Sequence, residues 1–219
     1  MRKNLLPFFL FFTIGITSTI LYFGKISLGD QKRFENIISP TVTPIPTFSL
    51  DEAPSKSLVG VVFPVTGNVG IITRTATEAA KIDAKTEIKQ GESIVVGTDS
   101  TAKLEFSGML RADIDTDTQL DLIQTLPANI VISQNTGKVT YVKTSEIPLT
   151  VRIFRLIVDF TQASIEIEVD AKLNTTRVSI LEGDATLAYN NLSGVVVKKQ
   201  LASGEVFLFS NLTRSGRVL

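Results

Sequence analysis

The sequence predicts an all-β domain, built as an antiparallel sandwich, a roll or a β-helix-like stack and preceded by one N-terminal transmembrane helix. Three observations lead to this prediction. The first is an uncharged apolar run over residues 5–23. The second is the alternation of apolar and polar residues after residue 58, and the third is the series of turn residues that interrupts this alternation.

The apolar run from Leu5 to Phe23 is long enough to cross a membrane. As a helix rising about 1.5 Å per residue, it would span roughly 28 Å, which is close to the hydrocarbon thickness of a bilayer. A secretory signal peptide would have a shorter apolar stretch that is followed by small residues. The run ends in the large residues 21–23, which favours an uncleaved anchor; residues 17–19 leave a cleaved leader as the alternative.

The charges beside this segment indicate its orientation. Arg2 and Lys3 precede it, and a mixture of acidic and basic residues follows it. A tail of residues 1–4 is easier to leave in the cytoplasm than to export. The rest of the chain is therefore predicted to lie outside the cytoplasmic membrane, held there by a single pass.

The remainder of the chain divides into a linker and one domain. Residues 24–57 contain half of the eight prolines and no apolar periodicity, which is typical of an extended linker. Residues 58–219 are numerous enough to bury one large core. The predicted organisation is a cytoplasmic tail (1–4), a transmembrane helix (5–23), the linker (24–57) and a β domain (58–219).

The composition excludes several kinds of chemistry. The chain has no His and no Cys, so imidazole bases, thiol nucleophiles, disulfides and metal sites bound through these residues are excluded. Basic and acidic residues number 22 each, and the predicted β domain has a slight acidic excess, which disfavours nucleic acid as a partner. No Walker A loop, dinucleotide-binding glycine motif or nucleophile elbow occurs. We therefore predict that the protein is not an enzyme and uses no cofactor.

Strands are predicted from the alternation. In residues 101–106, Ala102, Leu104 and Phe106 alternate with charged residues, as in a strand with one buried and one exposed face. The same alternation, or a β-branched and aromatic composition, predicts further strands. They cover residues 59–63, 69–74, 93–96, 112–123, 129–133, 138–143, 149–160, 163–169, 177–181, 185–189, 194–198 and 206–210.

One stretch, residues 75–87, departs from this pattern because it is rich in alanine and does not alternate. Its composition allows a short helix that begins near Thr77. A polar hairpin excursion between two strands fits the same residues equally well.

Three segments carry a resemblance to a known family. Residues 90–108, QGESIVVGTDSTAKLEFSG, contain a Gly-acidic-x-Ile step, a second Gly, a Ser-x-Ala-x-Leu-x-apolar run and a closing Gly turn. Residues 176–187, TRVSILEGDATL, contain a Glu-Gly turn between two alternating runs, and residues 135–139 supply a Gly-x-Val step. Between Gly60 and Leu208 the chain thus resembles the FecR domain family.

The chain also departs from the family pattern at several positions. The family usually has Asp where Glu92 stands, Thr where Val96 stands and Asp where Ser107 stands, and its Gly-Thr-x-Phe-x-Val element is replaced here by residues 162–167. The resemblance implies a β module in which the glycines of the motif occupy turns, and such turns often need a positive φ. The glycines of the motif in this chain are Gly91, Gly97, Gly108, Gly137 and Gly183.

The resemblance also bears on function. The best-known members of the family are inner-membrane regulators whose cytoplasmic segment acts on a sigma factor, but residues 1–4 are too few to form such a segment. We therefore predict a non-enzymatic interaction or scaffold module of the cell envelope, with the bilayer and an envelope protein as partners. The alternative is a transmembrane signalling regulator of the FecR or anti-sigma type that lacks its own sigma-binding domain and uses its helix to contact a partner.

The strongest candidate for metal chemistry is the series Asp113, Asp115 and Asp117, because Asp-x-Asp-x-Asp begins an EF-hand calcium loop. That loop also needs Gly at its sixth position and Glu at its twelfth, where this chain has Thr118 and Gln124. In one continuous strand the three aspartates would share a face. We predict a solvated face, with a weak surface calcium site as the alternative; a hydrolase using Asp115 and Asp117 is a third and less favoured reading.

Two groups of basic residues are further candidates for binding. Arg152 and Arg155 flank Phe154, and Lys198 and Lys199 stand side by side. Basic residues beside an aromatic ring can hold polyanions, but isolated pairs on an acidic domain are more often charges at the rim of a surface. The sequence therefore assigns them no specific ligand.

Overall fold

The computed structural model describes residues 56–219, and its regular elements are all β-strands. The predicted tail and transmembrane helix, and almost all of the predicted linker, lie outside these residues. Within residues 56–219 there is no helix long and apolar enough to span a bilayer. The seventeen strands are β1 (Gly60–Thr66), β2 (Val69–Ile72), β3 (Ala80–Ile82), β4 (Thr86–Ile88), β5 (Ser93–Val96), β6 (Thr101–Phe106), β7 (Leu110–Ile114), β8 (Thr118–Leu126), β9 (Asn129–Lys143), β10 (Leu149–Ile153), β11 (Leu156–Phe160), β12 (Ala163–Asp170), β13 (Thr175–Glu182), β14 (Asp184–Asn190), β15 (Val196–Ala202), β16 (Val206–Ser210) and β17 (Ser215–Val218).

The strands form two layers that share β9. Layer A has the order β4-β1-β6-β7-β9-β12-β13-β16-β17. Layer B has the order β3-β2-β5-β8-β9-β10-β11-β14-β15. The all-β prediction is confirmed, but the arrangement is mixed instead of wholly antiparallel, because β9 and β10 run parallel.

After β9 the chain builds the two layers by adding hairpins in turn. The hairpin β10–β11 joins layer B, β12–β13 joins layer A, β14–β15 joins layer B and β16–β17 joins layer A. The turn from β13 to β14 passes through Gly183, whose φ is +80°. A Cβ atom there would lie 2.6 Å from the backbone oxygen of Gln162, so this change of layer requires glycine.

The hydrophobic core lies between the layers and is lined by every second residue of most strands. On β12, Ile165, Ile167 and Val169 are buried, whereas Glu166 and Glu168 face outward. Aromatic rings join the layers: the ring of Tyr189 on β14 lies 4.9 Å, centroid to centroid, from that of Phe209 on β16. Each large apolar side chain buried in this way stabilises the fold by about 1.5–3 kcal/mol.

A buried polar network holds β9 where it passes from layer B to layer A. The side-chain nitrogen of Gln134 donates to the backbone oxygens of Gly137 and Ile167, at 2.9 and 3.0 Å. The hydroxyl of Tyr141 donates to Oε1 of Gln134 at 3.1 Å, and complete burial raises the pKa of this hydroxyl. Residues 129–133 and 138–143 were predicted as two strands; they form one, because the polar residues between them find these partners inside the fold.

Two predicted strands are each broken in the structure. The strand predicted over residues 112–123 ends as β7 at Ile114 and resumes as β8 at Thr118 in the other layer. The strand predicted over residues 149–160 is the hairpin β10–β11, which turns at Phe154 with a φ of 48°. Both segments have the alternation or the composition of a strand throughout, and neither property shows where such a segment folds back.

Both predictions for residues 75–87, a short helix and a hairpin, are wrong. This stretch contains no helix, and its strands β3 and β4 do not pair with each other. Instead β3 pairs with β2 in layer B, and β4 pairs with β1 in layer A. The strand β17 was not predicted, because Ser215–Val218 carries little alternation and stands at the edge of layer A with three of its four residues exposed.

Candidate functional site

The outer face of layer A carries a row of polar and charged side chains across four adjacent strands. The register places Lys103 of β6 beside Asp113 of β7, Asp113 beside Thr140 of β9, and Thr140 beside Glu166 of β12. These positions face away from the core because their strand neighbours are buried. Strand pairing therefore assembles a continuous surface from residues that are far apart in the sequence.

Ion pairs connect the members of this surface. A guanidinium nitrogen of Arg111 lies 2.8 Å from Oδ2 of Asp113, and Nζ of Lys103 lies 3.9 Å from Oδ1 of the same residue. Nζ of Lys138 lies 2.9 Å from Oε2 of Glu166. Pairs this exposed contribute only about 0–1 kcal/mol to stability, so their charges remain available for recognition.

The pKa values of two basic groups reflect these pairs. A side-chain hydrogen bond from Lys138 to Glu166 raises the pKa of Lys138, against an opposing effect of desolvation. The hydrogen bonds from Arg111 to Asp113, followed by the attraction of its charge, raise the pKa of Arg111. Both cations are therefore held in the charged form at physiological pH.

Two cavities open side by side on the same face. One, of about 270 Å³, is lined by Val65 and by the charged residues Lys103, Asp113, Lys138 and Glu166. The other, of about 520 Å³, has an apolar part formed by Val61, Phe63 and Val142. Nζ of Lys85 lies 5.3 Å from the centroid of the Phe63 ring, at a distance suited to a cation–π contact. Open cavities with apolar floors and charged rims are suited to a protein partner.

The predicted aspartate face does not form. Asp113 points out from layer A and is paired with Arg111, whereas Asp115 and Asp117 lie in the turn that leads to layer B. Oδ1 of Asp117 accepts a hydrogen bond from the hydroxyl of Thr98 at 2.8 Å. Across residues 56–219, no three acidic side chains come together in a group that could hold a metal ion. The prediction that the three aspartates share a strand face is therefore wrong, because the strand ends before Asp115.

The glycines of the FecR-like motif lie in turns or at bends. Gly91, Gly108, Gly137 and Gly183 have φ values of 84°, 68°, 82° and 80°. Gly97 has no positive φ, and the left-handed position of its turn is occupied by Asp99, with a φ of 55°. These glycines shape the backbone and line no common site.

The predicted basic groups lie in layer B. Arg152 and Arg155 are exposed at the hairpin β10–β11, around the exposed ring of Phe154. Lys198 and Lys199 lie on β15, and β11 and β14 separate this strand from β10. The structure thus keeps the two groups apart in the sheet.

Sequence reasoning missed the apolar part of the outer face of layer A. Val61, Phe63 and Val65 project from β1 on the opposite side from the buried Val62. A strand that is apolar on both faces, such as GVVFPVT, is a signal that its second face also has a partner or a use. The contribution of Val142 could not be found this way, because it depends on the pairing of β7 with β9.

Comparison with known proteins finds a likeness of fold. No protein-family model and no curated protein matches the chain. Two crystal structures of a putative anti-sigma factor from Parabacteroides distasonis are similar to it, each with a TM-score of 0.51 and 12% sequence identity. The similar region covers 58% of this chain and 58% of the Parabacteroides chain.

Proposed function

We propose that this protein is a membrane-anchored, non-enzymatic regulator of the anti-sigma type, which binds a protein partner through the outer face of layer A. The observation that carries the proposal is the likeness of its β fold to the Parabacteroides protein. The regulatory role is that protein's description, and at 12% identity the likeness concerns the fold. The resemblance of residues 60–208 to the FecR family supports the same reading from the sequence.

The predicted organisation of the chain gives this regulator a simple mechanism. The helix of residues 5–23 would hold the β domain outside the cytoplasmic membrane on its linker. In this mechanism the helix would pass the signal on by contact with a membrane partner. Binding outside can change the state of that partner only if the bound and free forms differ in their affinity for it.

The outer face of layer A is suited to the binding step. It combines the apolar floor formed by Val61, Phe63 and Val142 with the charges of Arg111 and Glu166. Such a surface gives area for burial and a pattern of charges that selects the partner. A scaffold role in the envelope would use the same surface, but it would leave transcription unchanged.

A complementation experiment separates these two functions. Deletion of the gene in the source organism is expected to change the transcripts of one sigma-dependent gene set, measured by RNA sequencing. Glu105 of β6 lines the larger cavity of the outer face of layer A, and Glu166 lines the smaller one. The full-length chain should restore the transcripts, and the variant Glu105→Lys/Glu166→Lys should not, because it reverses charge at both cavities. The control Thr150→Lys/Asp159→Lys places lysines on the outer face of layer B and should restore the transcripts.

Two results would contradict the proposal. Unchanged transcripts after deletion would contradict the regulatory role and favour the scaffold role. Equal restoration by the two variants would show that the outer face of layer A is not the binding surface.

A further inference from the structure

The second edge of layer B is a long strand that is paired on one side only. The seven residues of β15 pair with β14, and no other strand within residues 56–219 pairs with β15. In an antiparallel pair the backbone groups of successive residues point alternately to the partner and away from it. The N–H of Asn191 donates to the oxygen of Val195 at 3.0 Å, which sets this alternation. Val196, Lys198 and Gln200 therefore direct their N–H and C=O groups to the free edge.

The last residue of this edge is already hydrogen-bonded to the turn that follows β15. Ala202 follows the same alternation, and its N–H donates to Oε2 of Glu205 at 2.7 Å. Its oxygen accepts a bond from the N–H of Glu205 at 3.1 Å. The free part of the edge thus runs from Val196 to Gln200.

The charge of this region differs from that of the rest of the domain. Residues 191–219 contain the basic residues Lys198, Lys199, Arg214 and Arg217 and one acidic residue, whereas residues 56–190 have an acidic excess. None of these four cations forms an ion pair within the described chain. Two of these unpaired cations, Lys198 and Lys199, lie on the free edge itself, whereas Arg214 and Arg217 belong to the β16–β17 hairpin of layer A.

Apolar side chains extend the same edge. Val195 and Val196 are 58% and 59% exposed, immediately before the two lysines. Exposed apolar residues that stand next to unpaired backbone groups are a template for an added strand. The edge thus offers backbone hydrogen bonds, apolar contacts and positive charge within five residues.

A second copy of this chain does not fit this edge. Antiparallel pairing of β15 with itself about its centre would set the lysines of one copy against those of the other, and like charges directly opposite each other are destabilising. Lysine on an edge strand is a common means of preventing such self-association. A partner that supplies carboxylates meets no such barrier.

We propose that the free edge of β15 accepts an extended acidic segment of a protein partner as an added strand of layer B. The proposal goes beyond the proposed function, because it assigns a second binding surface that is separate from the outer face of layer A. Lys198 and Lys199 project from opposite faces of the strand, since Lys199 stands opposite the buried Leu187. The added strand therefore carries two adjacent acidic residues opposite the lysines and an apolar residue opposite Val196.

The experiment uses the full-length chain in detergent micelles and a fluorescein-labelled ten-residue peptide of alternating Val and Thr with two central Glu. Fluorescence anisotropy should show saturable binding, and the same peptide with Lys in place of Glu should not bind. The variant Lys198→Glu/Lys199→Glu should bind the Glu peptide at least about tenfold more weakly and should gain binding of the Lys peptide.

A matched control carries the same change of charge elsewhere in layer B. The variant Arg152→Glu/Arg155→Glu alters residues at the hairpin of β10, a strand that is paired on both sides. It should bind the Glu peptide as the unaltered chain does. Two peptides methylated on alternate backbone nitrogens give a second control, because methyl groups facing β15 should abolish binding and those facing away should not.

Several results would overturn the proposal. The first three are absence of peptide binding, equal loss of binding in both charge variants, and equal binding of both methylated peptides. Displacement of the peptide by phosphatidylglycerol vesicles would indicate a lipid ligand instead. A disulfide between two copies of a Lys199→Cys variant would indicate that the edge pairs with a second copy of the chain. The two proposals fail separately. Unchanged transcripts after gene deletion would overturn the regulatory role and leave peptide binding as the test of the edge, whereas failure of the peptide would leave the transcript result standing.

Discussion

The parts of the domain before and after β9 differ in the length of their edge strands and in the pairing of their buried polar groups. Before β9, the edge strands β3 and β4 have three residues each, and buried polar groups are paired: the hydroxyl of Thr125 donates to the oxygen of Leu58 at 2.8 Å. After β9, the edge strand β15 has seven residues. There the buried hydroxyl of Thr176 and the buried amide oxygen of Asn211 have no hydrogen-bond partner.

The difference shows that the two parts of one fold can differ in how readily their edges accept an added strand. A three-residue edge offers an incoming strand few backbone partners, whereas a seven-residue edge offers several. Paired polar groups also raise the cost of local opening, and unpaired ones lower it. The part before β9 is therefore expected to be the more rigid scaffold, and the part after β9 the more adaptable surface.

Truncation of one buried residue on each edge gives the largest expected effect. Ile88 on β4 is fully buried and Leu201 on β15 is 1% exposed. Replacement of either by Ala removes a branched side chain from the core and should lower the free energy of unfolding by about 2–5 kcal/mol. Urea unfolding of the full-length chain measures both losses.

The comparison of the two losses tests whether both edges belong to one cooperative fold. Val196→Ala, at an exposed position on β15, should change the free energy of unfolding by less than about 0.5 kcal/mol. A loss at Leu201 as small as this control would mean that β15 is only loosely attached, and the amides of β15 would then exchange quickly with solvent.

An isosteric exchange at two buried threonines should act in opposite directions. Thr125→Val removes the bond to the oxygen of Leu58 and leaves that group unpaired, so it should lower stability by about 1–3 kcal/mol. Thr176→Val removes a hydroxyl that has no partner, so it should leave stability unchanged or raise it. Thermal unfolding followed by circular dichroism measures the difference. Equal losses in both variants would contradict the contrast between the two parts.

Two lysines that face the core side of their strands give the smallest effect. Lys143, at the end of β9, is 2% exposed, and desolvation by burial lowers its pKa from 10.5. At neutral pH the folded state therefore carries the cost of a buried charge. As pH rises through the lowered pKa toward 10.5, the folded state releases the proton before the unfolded state does, so the contribution of Lys143 to stability increases with pH.

The raised pKa values of Tyr141 and Lys138 act in the opposite direction in both chains, so the test is the difference between them. Between neutral pH and about pH 10, urea unfolding should show a more positive change of stability in the unaltered chain than in Lys143→Met. Lys199 also faces the core side of its strand, but it is exposed because β15 is an edge strand of layer B. Lys199→Met should change stability by less than about 0.5 kcal/mol at both pH values. An identical pH dependence in Lys143→Met and the unaltered chain would contradict the argument from burial.

Much of the local structure could be predicted from the sequence. Residues 93–96, 101–106 and 206–210 were predicted as strands with the bounds that β5, β6 and β16 have. The buried faces of β6 and β12 also agree with their alternation. These features depend on the period of two that any strand imposes on neighbouring residues.

The candidate site could be predicted only in part. Asp113 was predicted to be a surface residue, but its ion pair with Lys103 was not predicted, because a cross-strand neighbour is fixed by register and not by distance along the chain. The turn at residues 115–117 was missed for a related reason. Asp115 and Asp117 alternate with Ile114, Thr116 and Thr118 as the residues of one strand face would, and the turn becomes visible only from the pairing of β8 with β5 in layer B.

The sequence alone determined that the domain after residue 58 is made of strands and which side of many strands is buried, because these properties follow from the alternation of neighbouring residues. The tertiary structure decided which strands are neighbours, where β9 changes layer, and that β15 keeps a free edge. These properties depend on hydrogen bonds and packing between residues that are distant in the sequence, such as the bond from Gln134 to Ile167. The binding surfaces proposed for this protein are of the second kind.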